Sequence, residues 1–207
     1  MKTQTKETQG AITPKKALEI LTEGNNRFTQ NLKANRNLLQ QVNETKSGQY
    51  PFAVILSCID SRVPVEMVFD QGIGDIFCIR IAGNFVNKDI LGSMEFACKA
   101  AGCKLIVVLG HSSCGAVKGA CDHVELGNLT GLLNKIQPAI DAVEEDGDRA
   151  STNAGFVQKV ADKNVELAIQ KVKEKSPVLK EMLDNGEIGL VGGMYSVETG
   201  EVTFSGL

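Results

Sequence analysis

Apolar residues fall into two kinds of pattern along the chain. Short unbroken runs, Phe52 to Leu56 and Leu105 to Leu109, have strand length and no polar face. They predict strands buried on both sides. Asp75 to Ile81 reads as another strand, and Ile188 to Val197 as a fourth, interrupted at Gly192-Gly193. Between these runs apolar residues recur at helical spacing. One stripe is Ile90, Met94, Ala97, Cys98 and Ala101, with Gly102 as its stop. A second runs from Leu129 to Val143, where Pro138 demands a kink or two segments. Val157, Ala161, Val165, Ala168 and Val172 make a third. Short helices are predicted from Pro64 to about Asp70, from Gly115 and from Pro177. Near the start, Thr13-Pro14 reads as the N-cap and first residue of a helix carrying Leu18, Leu21, Phe28 and Leu32. Asn31 to Gly48 is polar and ambiguous. At the far end, Glu198-Thr199-Gly200 is a tight turn into a last strand, Glu201 to Phe204.

Strands alternating with helices predict an α/β fold. The expected architecture is a mostly parallel central sheet of four strands plus an antiparallel edge strand, flanked by helices. At 207 residues the chain is read as a single domain, with an N-terminal helical arm over 1–50 and an α/β core over 51–207. Composition narrows the function. Hydrophobic residues are 43% and charged residues 23%, which excludes a disordered chain. A net charge of −3 without a basic block excludes an electrostatic nucleic-acid binder. The first ten residues are polar and no apolar run approaches ~18 residues, so neither a secretory leader nor a membrane span is expected. The expected compartment is the reducing cytoplasm, where six cysteines remain thiols or bind metal.

Two short motifs sit where predicted strands end, the place where open α/β sheets gather ligands and catalytic groups. One is Ser57-Cys58-Ile59-Asp60-Ser61-Arg62; the other is Gly110-His111-Ser112-Ser113-Cys114-Gly115. Along extended backbone Cys58, Asp60 and Arg62 can point the same way. His111 and Cys114 flank a strand-to-helix turn. Cys58, His111 and Cys114 are thus candidate zinc ligands, with a carboxylate nearby. Two thiolates cancel the charge of zinc, which weakens its effect on a bound water, so a neighbouring carboxylate that takes a proton or hydrogen bond becomes useful. Asp60 is the candidate. Arg62 can hold Asp60 in a bidentate pair and keep it off the metal, so the spacing points to a switch between an open and a blocked metal. Cys78, Cys98, Cys103 and Cys121 read as packing residues and His123 as a surface histidine.

These residues closely resemble the β-class carbonic anhydrases. The likeness is carried by Cys58-Ile-Asp60-Ser-Arg62-Val-Pro64, Phe69-Asp70-Gln71-Gly72, Arg80-Ile-Ala82-Gly83-Asn84 and His111-Ser-Ser-Cys114-Gly115, and spans about residues 14 to 204. The resemblance implies reversible hydration of CO2 to bicarbonate and a proton, with zinc-bound hydroxide as the nucleophile. It implies Zn2+ held by Cys58, His111 and Cys114, and Asp60 and Arg62 as the catalytic dyad. Gln71 and the Gly115 N–H would stand on the substrate side. It implies a homodimer or a dimer of dimers, with the N-terminal arm wrapping the partner. The motifs do not separate this reaction from hydrolysis of carbonyl sulfide or carbon disulfide on the same scaffold. A non-catalytic zinc or redox-sensing module would instead require four fixed protein ligands.

One position departs from the family. Members with an inhibitory bicarbonate pocket carry a tryptophan three residues before the first zinc cysteine; here that residue is Ile55, and the chain has no tryptophan. An alkyl group cannot replace an indole N–H donor. Crystals soaked in bicarbonate are therefore expected to show no anion beside Ile55; one bound there would refute the reading.

Overall fold

The computed structural model describes residues 2–206. Its strands are β1 (Ala53–Ser57), β2 (Ile76–Arg80), β3 (Leu105–His111), β4 (Gly189–Tyr195) and β5 (Val202–Ser205). Its helices are α1 (Lys6–Gly10), α2 (Pro14–Thr29), α3 (Leu38–Thr45), α4 (Val65–Val68), α5 (Lys88–Glu95), α6 (Gly115–Cys121), α7 (Gly127–Leu133), α8 (Gln137–Asp141), α9 (Ala154–Lys175) and α10 (Pro177–Asp184). The strands form one sheet in the order β2-β1-β3-β4-β5. The first four are parallel and β5 is antiparallel to β4. The fold class is the one the sequence predicts.

β1 and β3 are buried at every residue, as their unbroken apolar runs require. Val54, Leu56, Ile106 and Val108 face one layer, with residues of α5, α9 and α10. Ala53, Ile55, Leu105, Val107 and Leu109 face the other, with Ala17 and Leu21 of α2 and with Phe69. A third cluster, including Val117, Ile136, Ile140, Phe156 and Val160, gathers around Cys58 and Cys114 at the carboxyl ends of the strands. The chain leaves β1 toward β2 on one side and returns to β3 on the other. The gap between β1 and β3 is therefore the switch point of the sheet.

Several elements differ from expectation. β4 runs unbroken through Gly192-Gly193. There the glycines serve close packing: a Cβ on Gly192 would lie 3.0 Å from Val165 and 3.1 Å from Ile169, both on α9. The helix predicted to continue to Ala101 changes at Phe96 into one π-helical turn ending at Ala100. The Pro138 break is observed: α7 ends at Leu133, and Pro138 sits in the first turn of α8. The ambiguous polar segment contains α3, capped by Asn37 on the Gln40 N–H. Its buried residue is Gln41, which accepts from the Ile73 N–H at 3.2 Å, while Leu38, Leu39 and Val42 point outward. Apolar periodicity therefore could not reveal this helix.

The N-terminal segment is part of this chain's own core. Ala17 and Leu21 are fully buried on the sheet. Asn25 donates to the carbonyls of Val68 (3.1 Å) and Gly200 (2.8 Å), and its Oδ1 accepts from the Val202 N–H at 2.8 Å. Gln9 hooks α1 onto the carbonyls of Pro51 (2.6 Å) and Ala101 (2.8 Å). Among the described residues no helix is long and apolar enough to cross a membrane. Leu21→Ala is expected to cost about 2–5 kcal/mol in denaturant unfolding. Leu39→Ala, at a site 79% exposed, is expected to change stability by no more than about 0.5 kcal/mol.

Candidate metal centre

β1 ends at Ser57, which lies opposite Leu109 of β3. β3 continues for two more residues, which brings His111 over the start of the loop that begins at Cys58. Ser113 then adopts a left-handed φ of 54°, unusual for a residue with a side chain, and the chain turns into α6 with Cys114 at its N-cap. Cys58, His111 and Cys114 are each at least 96% buried, since their exposures are 4%, 1% and 1%. The ligating atoms of the three side chains all lie within 4.8 Å of one another.

The donor set fits zinc. Two sulfurs about 2.3 Å from a shared tetrahedral ion would sit about 3.8 Å apart; Cys58 Sγ and Cys114 Sγ are separated by 3.9 Å. His111 Nδ1 bonds the Ser112 carbonyl at 2.9 Å. A carbonyl only accepts, so Nδ1 carries the proton and Nε2 keeps its lone pair. That Nε2 is buried and has no hydrogen-bond partner. A buried acceptor costs about 1–3 kcal/mol when nothing satisfies it, and a metal ion would satisfy it.

The sulfurs are electronically unequal. The Cys114 thiol beside it, with help from His111 and the Gly83 and Asp60 backbones, pulls Cys58 down against its burial. Cys114 is pushed up, first by the Cys58 sulfur beside it and then by burial. The first proton therefore leaves the pair readily and the second is held. Gly83 N–H lies 3.4 Å from Cys58 Sγ and donates to it.

Asp60 and Arg62 occupy a turn closed by Val63 N–H on the Asp60 carbonyl, rather than the extended run expected. The pairing itself is the anticipated one. Arg62 Nε donates to Oδ1 at 2.9 Å and its terminal nitrogen to Oδ2 at 2.7 Å, while its backbone N–H reaches Oδ1 at 2.9 Å. Arg62 also donates to the Ser113 carbonyl at 3.3 Å, which ties the two motifs together. The Arg62 guanidinium holds the Asp60 carboxyl at about 2, against the smaller opposing effect of burial. Asp60 Oδ2 stands 3.9 Å from His111 Nε2, too far for a hydrogen bond.

Gly115 is the first residue of α6, where the backbone N–H has no intrahelical partner. No atom would lie within 4 Å of a Cβ there, so the space beside it is open. The Gln71 amide donates to the Phe69 carbonyl at 2.6 Å, and Gln71 lines a cavity of about 520 Å³ with Phe28, Leu32, Arg36, Met67 and Asp70. Two contributors escaped the residue-by-residue reading. Arg80 donates to the carbonyls of Cys58 (2.9 Å) and Asp60 (2.7 Å) and so fixes the loop that carries them. Gly83 supplies the N–H on Cys58; its visible sign is the Gly83-Asn84 pair, a turn signal. All six cysteines are free thiols. Burial pushes Cys78 and Cys103 up and Cys98 up to about 12, as expected of packing residues.

A strand-end cluster of two thiols and an imidazole at the switch point of a parallel sheet is placed as in an α/β enzyme and could hold a metal ion. The carbonic anhydrase family profile matches residues 53–202. Carbonic anhydrase 2 of Mycobacterium tuberculosis is 33% identical over 195 residues, covering 90% of each chain. The carbonic anhydrase of Mycolicibacterium smegmatis is 33% identical over 192 residues, covering 91% of this chain and 92% of its own. Among solved structures, the β-carbonic anhydrase CafA of Aspergillus fumigatus aligns with a TM-score of 0.69 at 25% identity, over 91% of this chain and 88% of that one. A tetrameric β-carbonic anhydrase of Sordaria macrospora shares the fold with a TM-score of 0.67 at 24% identity, over 81% and 90%. The chain belongs to the carbonic anhydrase family, in its β class.

The Arg62 effect on Asp60 can be measured directly. Carboxyl 13C titration should place Asp60 at about 2 in the parent protein. Arg62→Ala should move it up toward the ordinary 3.8. Because the folded value is depressed, ionised Asp60 favours the fold above the ordinary value, and that contribution fades as pH falls toward about 2. An unmoved titration would show that another group holds the carboxylate.

Proposed function

We propose that this carbonic anhydrase is a zinc enzyme that interconverts CO2 and bicarbonate, with Cys58, His111 and Cys114 as the metal ligands. The observation that carries the assignment is the buried His111 Nε2, unpartnered and within 4.8 Å of both cysteine sulfurs. Zinc, when bound, supplies a Lewis acid that makes water nucleophilic near neutral pH. The remaining work falls to the chain. The Ser112 carbonyl fixes the tautomer of His111. Arg62 keeps Asp60 ionised and turned aside, so its carboxylate is a ready acceptor of a hydrogen bond from a water beside the triad. The Gly115 N–H is the donor for a substrate oxygen. Gln71 is assigned to the substrate side by family likeness alone.

The two thiols favour zinc over oxygen-seeking cations such as magnesium. We place the protein in the cytoplasm, where its buried thiols stay reduced. We further propose that the chain acts as one domain in a homodimer or dimer of dimers; the tetrameric Sordaria relative supports this.

Purified protein is expected to hold about one zinc per chain, and Cys58→Ser or His111→Ala to remove it. Asp60→Asn should keep the metal and lose about 10²-fold or more of CO2 hydration, the usual scale of an acid–base group. Metal analysis with stopped-flow hydration reads both. Full metal in the ligand variants would sink the ligand assignment, and parental rates in Asp60→Asn would sink the role of the dyad.

A further inference from the structure

Helix α9 buries an apolar stripe that includes Val157, Val160, Ala161, Val165, Ala168 and Val172. One polar residue interrupts it. Asn164 is 5% exposed, and its Nδ2 donates to the Gly83 carbonyl at 2.8 Å across 81 residues of sequence. A buried amide in such a stripe costs stability unless it is bonded, so a plain packing site would favour an aliphatic residue.

Gly83 is the residue whose N–H meets Cys58 Sγ at 3.4 Å. Its φ is +76°, and the next residue, Asn84, is also left-handed at 38°. Two successive left-handed residues, one with a side chain, persist only where surroundings hold them. A Cβ on Gly83 would come within 2.6 Å of Ile136 Cδ1, so the backbone there is wedged against α8's N-cap residue. The loop has a second anchor at the Ile81 N–H, which donates to the Ser57 carbonyl at 3.0 Å. Between these anchors, the bond from Asn164 fixes the peptide that follows Gly83.

We propose that Asn164 is a positioning residue for the metal centre: by gripping the Gly83 carbonyl it aims the Gly83 N–H at the Cys58 sulfur. An N–H on a ligating thiolate draws electron density from the sulfur and orients it, and such outer partners typically set metal affinity within about 10–100-fold. This rests on the zinc reading above. The role is carried through backbone, and Asn164 itself touches neither metal nor substrate.

The test is Asn164→Leu, which suits the apolar stripe, with Asn164→Ala as the second variant should the first fail to fold. Each is melted metal-free, then its zinc affinity is read by chelator competition. The cobalt-substituted form is read by its thiolate charge-transfer band. Expected is a cooperatively folded variant that binds zinc about 10–100-fold more weakly, with a displaced cobalt band. Unchanged affinity and an unchanged band overturn the proposal whatever the melting temperature does, because a packing role alone moves only stability. Parent protein that binds no zinc, or binds it equally well after Cys58→Ser, overturns the zinc reading itself.

Discussion

The parallel pairing of β1 with β3, with Ser57 set against Leu109, is the constraint on which the rest depends. It fixes which side chains enter each layer of core, and a slip of one residue would exchange them. It also sets where the two motifs end. β1 stops while β3 runs on, so a cysteine that begins one loop lies beside a histidine that ends a strand. β4 continues the register, pairing Tyr195 with His111. The imidazole is thereby held by strand geometry on its backbone and by the Ser112 carbonyl on its ring.

Around that register the polar groups form an ordered hierarchy. Arg80 fixes the carbonyls of the Cys58–Asp60 loop, Arg62 fixes the carboxylate, and the Ser113 carbonyl fixes Arg62. Among the ring and carboxylate atoms of His111 and Asp60, the one left without a hydrogen-bond partner is His111 Nε2. Preorganisation of this kind lets a site act without rearranging dipoles during the reaction.

Most of the fold is legible in the sequence because the central strands are buried on both faces and leave unbroken apolar runs. Motifs at their ends then meet wherever the strands are neighbours, which places Cys58, His111 and Cys114 together. What stays hidden is whatever the fold secures with polar groups. α3 is anchored by Gln41 and shows its leucines to solvent, so it has no readable stripe. Gly192-Gly193 looks like an interruption, yet α9 lies close above Gly192, and Leu109, Phe204 and Val202 crowd Gly193. The extended run expected at 58–62 becomes a turn because the Asp60 side chain captures the Arg62 N–H. Asn164 carried a signal of its own, an amide in an apolar stripe, whose partner only the folded chain reveals.

Asn25 bonds the backbone at Gly200 and Val202, across 175 and 177 residues of sequence. This has a kinetic consequence. α2 is synthesised well before the carbonyl and N–H, 175 and 177 residues further on, that complete its buried amide. Until the β4–β5 hairpin forms, the Leu21 face can dock without its polar partners. Contacts of such sequence separation are slow to close. A segment made long before its polar partners is thus secured only once they arrive, and its apolar face is the surface a chaperone would meet during that interval.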